Sequence, residues 1–143
     1  MKEKLAFLLI LCLIGVFVLT SGCTQSLTSG NHTQSLTSGD QAFINATVDG
    51  IDKIYSIMKS YTEHGQNNEI SQLKIDGQNL EIEANNLYNK VNNISVSPDL
   101  TLSKQNYLNA MERYEAAGVL VSESIDSYNR GNISESNSKM GEA

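Results

Sequence analysis

Residues Asn68 to Val96, NEISQLKIDGQNLEIEANNLYNKVNNISV, decide the fold. Within them Ile70, Leu73, Gly77, Leu80, Ala84, Leu87, Val91 and Ile94 follow one another by steps of three and four over four heptads. All but Gly77 carry an apolar side chain. Asn79, Asn85, Asn86, Asn89, Asn92, Asn93, Glu81 and Glu83 all fall off that line. A helix turns once every ~3.6 residues, so this spacing places the apolar groups on one face and the amides and carboxylates on the other. A seam this regular predicts a helix that packs lengthwise against other helices, as in a bundle or coiled coil.

Working outward, both flanks repeat the pattern. From Asp40 to Gly65, apolar residues recur at Ile44, Val48, Ile51, Ile54, Tyr55, Met58 and Tyr61, with Phe43 and Ile57 widening the stripe. Asp40 is the expected N-cap, its carboxylate accepting from free backbone N–H groups. Gly65 and Asn67-Asn68 are stop and turn signals. On the other side Ser97-Pro98-Asp99 opens a third helix: Ser97 to cap it, Pro98 for the first helical position, Asp99 for the positive end of the dipole. Its seam runs through Leu100, Tyr107, Met111, Tyr114, Gly118, Val121, Ile125 and Tyr128, and Asn129-Arg130-Gly131 ends it. Short links make sequential helices antiparallel neighbours. The expectation is an all-α chain: an up-down-up three-helix bundle over 41–130, with 131–143 a tail or short fourth helix capped by Asn132 and Glu135. Gly77 and Gly118 lie on the seams, where close approach of two helices explains them. Gly50, also inside a helix, reads as tolerated destabilisation, close helix approach or a local kink near a binding groove.

The chain has 143 residues, 40% of them apolar, six Tyr, three Phe and no Trp, so one small domain with an aliphatic core is what it can build. Its formal charge is −6. An acidic chain lacks the basic footprint of DNA or RNA binding, so nucleic acid is not an expected partner. The two cysteines are Cys12 and Cys23. Cys12 lies in the apolar N-terminal run, so Cys23 has no internal disulfide partner in the rest of the chain.

The N-terminus reads as an export signal over 1–22. Lys2 and Lys4 form a basic cap, Leu5 to Leu19 is an unbroken apolar run, and Thr20, Ser21 and Gly22 are small. An uncleaved N-terminal membrane anchor is the alternative; either places the remainder of the chain on the outer side. Ser21-Gly22-Cys23 behind that run resembles the lipobox of prokaryotic lipoproteins. With Thr24-Gln25 it is similar to surface lipoproteins of methanogenic archaea. The resemblance covers about 24 residues. It implies cleavage before Cys23 and a lipid on its thiol, anchoring the chain to the cell membrane. Where the family usually has Leu three residues before the cysteine, this chain has Thr20, with Leu19 one place further back. TQSLTSG then occurs twice, at Thr24 to Gly30 and Thr33 to Gly39, in a stretch of Ser, Thr, Gly and Gln unable to bury enough surface to order itself. Residues 23–40 are the expected flexible tether. The seventeen residues from Thr24 to Asp40 span ~20–25 Å.

Residue types that carry chemistry are sparse. His32 lies in the tether and His64 in the last turn of the first helix, where a surface histidine suits the dipole. No Cys, His and carboxylate cluster has metal spacing, and no Ser sits in a nucleophile motif, so no metal, no cofactor and no catalysis are expected. Glu112 and Glu115 share a helix face near Arg113, as a solvated face does. Tyr107, Tyr114 and Tyr128 lie on one stripe, and Tyr55, Tyr61 and Tyr88 on or beside the other seams. They fill the core with their hydroxyls at the edge, or line a groove for a ligand or partner helix. Sequons at Asn31, Asn45, Asn93 and Asn132 are candidate glycosylation sites. The functional expectation is a lipid-anchored, extracytoplasmic, non-catalytic bundle acting by contact with an envelope protein or with itself. The alternative is a small-ligand or sensory module with a Tyr-lined groove.

Overall fold

Four helices account for almost all of the computed structural model, which describes residues 36–143. The export signal or anchor, Cys23, most of the tether, Asn31 and His32 lie outside the described residues. Helix α1 is Ser38–Asn67, α2 is Ile70–Asn92, α3 is Thr101–Asn129 and α4 is Ile133–Glu142, with a 3-10 turn, Pro98–Leu100, leading into α3. No strand occurs among the described residues. The three long helices run up-down-up, and the short fourth helix forms at the C-terminus.

The beginning of α1 differs from expectation. Thr37, not Asp40, is the N-cap, and the helix starts at Ser38. Asp40 is the third helical residue and completes a capping box: its N–H donates to Thr37 Oγ1 at 3.1 Å, and its Oδ2 accepts from the Thr37 N–H at 3.0 Å. Its other oxygen accepts from the Ser97 N–H at 2.7 Å. Asp40 therefore belongs to the bundle and ties the start of α1 to the link between α2 and α3. The two Ser97 and Thr37 backbone donors, added to side-chain hydrogen bonds, hold its carboxyl down to about 2 from 3.8, against burial that raises it. Ser97 makes no side-chain cap. Gly39 lies so close to the Ser95 carbonyl that a Cβ has no room. The last three residues of the second TQSLTSG copy, Thr37, Ser38 and Gly39, thus supply the cap and the first two helical positions of α1.

At the other end of α1, Asn68 takes the left-handed conformation, φ 58°, and turns the chain into α2 within two residues. The last carbonyl of α2 and one in the link after it are met from α3: Lys104 Nζ donates to the carbonyls of Asn92 and Ile94 at 2.9 and 2.7 Å. Gly131, φ 79°, ends α3.

The core comprises two adjoining clusters. Ile54, Leu80, Ala84, Leu87 and Met111 form one, and Phe43, Ala46, Val91 and Leu108 the other. Tyr88 and Tyr107 pack against both, and the Phe43 and Tyr107 rings meet edge to face at 6.4 Å. The α2 seam packs as its spacing predicts. Gly77 and Gly118 bring α2 and α3 to backbone contact: a Cβ on Gly118 falls 2.5 Å from both the Gly77 carbonyl and the Glu81 nitrogen. Gly50 makes a similar concession, because Tyr107 Oη and Leu87 occupy the space of its missing side chain.

Two seam expectations are corrected. The inward face of α1 is Phe43, Ala46, Gly50 and Ile54, while Val48, Ile51 and Tyr55 are 55%, 58% and 70% exposed. The smaller residues win because they let α1 settle onto Leu87 and Tyr107, which bulkier side chains would hold away. In α3, Tyr128 is half exposed while Ser124 and Ser127 are fully buried. The end of α3 is covered on a second side by α4, where Ser124 Oγ donates to the Ser136 carbonyl at 2.9 Å. Lys139 of α4 reaches Glu123 of α3, and Tyr61 of α1 points its hydroxyl at Met140 Sδ at 3.5 Å. The hydrogen bond to Glu123, and with it the Glu123 and Glu135 charges, raises the Lys139 pKa, with burial opposing.

Candidate functional site

Three surface features carry side chains that could meet a ligand or partner. The first is the outer face of α1. Ile44, Val48, Ile51, Tyr55 and Met58 advance by steps of four and three. Ile44 and Met58, at the ends, are partly covered by the core clusters; Val48, Ile51 and Tyr55 are not. This stripe lies about 100° around the helix from the buried one. Its solvent flank is polar and exposed: Asn45, Asp52, Lys59 and Gln66. A contiguous apolar stripe bordered by polar groups is the usual appearance of a contact surface, where isolated exposed aliphatics carry no such meaning.

The second is an open cleft of about 300 Å³ between α2 and α3, lined by Asn85, Tyr88, Asn89, Glu112 and Glu115. Amides close one wall, with Asn89 Nδ2 donating to Asn85 Oδ1 and Asn85 Nδ2 to Glu115 Oε1 at 2.9 Å. The tyrosine at this cleft is Tyr88. Tyr107 and Tyr114 pack against the first core cluster, and Tyr128 faces solvent, so the stripe expected as a groove is divided between core and surface. The reason is the closeness of α1: with Gly50 beneath it, the Tyr107 ring is drawn inward. Its hydroxyl is buried with no hydrogen-bond partner among the described residues, and burial, reinforced by the Glu83 carboxylate, raises its pKa.

The third is a polar cluster joining the end of α1 to α2. His64 Nδ1 lies 2.6 Å from Asp76 Oδ2, and Ser60 Oγ donates to Asp76 Oδ1 at 3.0 Å. Asp76 is buried at 5% exposure. The hydrogen bond to Asp76 raises the His64 pKa, with burial opposing and the Asp76, Glu69 and Glu63 charges adding to the rise. Burial and the same Asp76 charge raise Tyr61. Sequence spacing marks His64 as a surface residue; its partner Asp76 occupies a position next to the α2 seam, and nothing local announces that pairing. A relay needs Ser on one ring nitrogen and the carboxylate on the other. Here Ser60 and His64 both lean on Asp76, and Nε2 points to Glu69 at 3.6 Å. Ser60 Oγ also lies 3.4 Å from His64 Nδ1, the nitrogen that meets Asp76, so serine and carboxylate share one ring nitrogen and the cluster ties the end of α1 to α2.

The sequons fall in different settings. Asn45 is exposed in mid-helix on the flank of the α1 stripe, accepting from Gln41 Nε2 at 2.9 Å. Asn93 is exposed at the end of α2 and donates to the Asn89 carbonyl at 2.9 Å. Asn132 caps α4, accepting from the Glu135 N–H at 3.3 Å. Among the described residues no group of three or more His, Cys, Asp or Glu side chains could hold a metal ion. No helix among them is long and apolar enough to cross a membrane. No known protein family, curated protein or solved structure matches this chain.

Proposed function

We propose that this protein is a lipid-anchored helical bundle that acts outside the cytoplasm by presenting a helix face to another protein, without catalysis. The single observation that carries the reading is the Val48–Ile51–Tyr55 stripe, more than half exposed beside a well-packed core. Supporting it from the sequence are the apolar leader ending at Cys23 and the Ser/Thr/Gly/Gln spacer before Thr37. Two acyl chains on Cys23 give durable attachment where one is marginal. The spacer holds the bundle off the headgroups, within reach of neighbours in the envelope.

The test is purification of the full chain from detergent-solubilised membranes, beside an Ile51→Asp/Tyr55→Glu variant. Companions that leave with the variant support the contact face. Identical companions for both refute it. The N-terminal peptide should begin at Cys23 with added lipid mass; an unmodified peptide beginning at Met1 refutes the anchor. A second reading is favoured by the cleft of about 300 Å³ at Tyr88, whose Asn85, Asn89, Glu112 and Glu115 walls suit a small polar ligand. A saturable thermal shift abolished by Tyr88→Ala would support it.

A further inference from the structure

Helix α1 carries two apolar stripes, and the bundle covers only one. The outer stripe, Ile44–Val48–Ile51–Tyr55–Met58, has the alternating steps of a helix that lies against a second helix. Along its solvent edge, Asn45, Asp52, Lys59 and Gln66 recur every seventh residue, and all four are exposed. The order is amide, negative, positive, amide. Read backwards, it is amide, positive, negative, amide. An antiparallel copy of the same edge therefore sets Asn45 beside Gln66 and Asp52 beside Lys59, each twice about a two-fold axis.

We propose that the outer face of α1 pairs antiparallel with α1 of a second copy of this chain, closed by reciprocal Asp52–Lys59 ion pairs. This rests on the contact-face reading and names its partner. In that register Tyr55 of each copy lies level with Met58 of the other, and Ile51 with Thr62. A parallel pair gains no such charge match, since Thr47 and Ile54 stand where partners for Asp52 and Lys59 are needed. A slip of one heptad sets Asp52 against Asp52. Charge thus selects both direction and register, the part that edge charges play in helix pairing. The groups are available within one copy. Asp52 is in no ion pair among the described residues, and Lys59 has only an exposed Glu63 contact at 3.8 Å.

Stable interfaces bury about 800 Å² from each partner. Three exposed side chains and their edges fall short of that, so the pair is weak between free molecules. Confinement of tethered copies on one surface raises their effective concentration. The N-termini of the two α1 helices stand at opposite ends of the antiparallel pair.

The experiment mixes ordinary and nitrogen-15-labelled full chain in phosphatidylcholine vesicles and joins contacting carboxylates and amines with a zero-length carbodiimide. Within one chain Asp52 and Lys59 are about 10 Å apart, beyond direct bonding. The expected product is a mixed-isotope Asp52–Lys59 cross-linked peptide. It is absent from D52K alone and from K59D alone, and when the two variants are mixed two inter-chain amides return between positions 52 and 59, one Asp52–Lys59 and one with carboxylate and amine exchanged. Tyr55→Glu reduces the wild-type product at least tenfold with an unchanged circular dichroism spectrum. Failure to find the mixed-isotope peptide in wild type, or no return on mixing, overturns the pairing. A chain that stays single yet loses an envelope companion on Tyr55→Glu overturns self-pairing and leaves the contact face standing. The lipid on Cys23 is read from a separate peptide, so its absence is not mistaken for failure of the pair.

Discussion

Replacing Gly118 by Ala tests whether backbone contact between α2 and α3 organises the bundle. The new methyl carbon would stand 2.5 Å from the Gly77 carbonyl oxygen and 2.5 Å from the Glu81 nitrogen, and 3.0 Å from Glu81 Cα. None of these atoms belongs to a side chain that could swing aside, so the two helices must part by about 0.9 Å to restore ordinary contact. A radial gap of ~0.5–1 Å forfeits a quarter to a half of the dispersion energy across an interface. Overpacking of this kind costs ~1–3 kcal/mol, and the backbone origin of the clash places Gly118→Ala at the upper end. Ala recovers ~1 kcal/mol through its better helix propensity. The net destabilisation is then ~2 kcal/mol, or a Tm lower by ~8 °C for a unit of this size. Thermal unfolding of the detergent-solubilised full chain, followed by far-ultraviolet circular dichroism, measures it. Gly141→Ala is the control: the same chemistry, with nothing within 4 Å of the added carbon. It should leave Tm unchanged or raise it slightly. A Gly118→Ala protein as stable as wild type would refute the claim that these helices touch at their backbones.

Tyr107→Phe should stabilise by ~1 kcal/mol, because it removes a buried hydroxyl that has no partner among the described residues while keeping the ring against Phe43; equilibrium urea unfolding reads the change, and a loss of stability would mean the hydroxyl is satisfied. Asp40 ionises more readily in the fold, at about 2 against 3.8, so its stabilisation is complete above about pH 4 and is lost as the pH falls from there toward 2. Asp40→Asn should flatten that part of the acid-unfolding curve. His64 has the opposite sign: its pKa is raised, so its contribution is complete below pH 6.5 and is lost as pH climbs through the elevated value. Proton NMR of the His64 ring should show the upward shift, and Asp76→Asn, which removes its largest cause, should reduce it. Thr37→Ala, which removes the N-cap, should cost ~1 kcal/mol in the same urea experiment.

Much of the candidate contact face is present in the sequence, but under the wrong description. Ile44, Val48, Ile51 and Tyr55 read as part of one broad buried face with Phe43, Ile54 and Ile57, because periodicity counts apolar residues and is blind to what faces them. The residues that face inward include Ala46 and Gly50, which carry little hydrophobic signal and matter through the space they leave. The buried serines of α3 escape for a related reason. Ser124 and Ser127 look like surface residues until α4 covers them and supplies the Ser136 carbonyl. Ser60, His64 and Asp76 are brought together across a helix pair, so no local spacing could join them.

What the sequence by itself determined is the helical character, the antiparallel order and the two glycines of the α2–α3 contact. All three stem from short-range rules: the 3.6-residue turn, the length of the links and the cost of glycine inside a helix. The tertiary structure alone decided which side of α1 is buried and where the fold begins. Both depend on groups far away in the chain. Leu87 and Tyr107 fit over Gly50, turning one apolar stripe of α1 inward and the other out. Ser97, held by Asp40, makes the last residues of the second TQSLTSG copy part of the bundle.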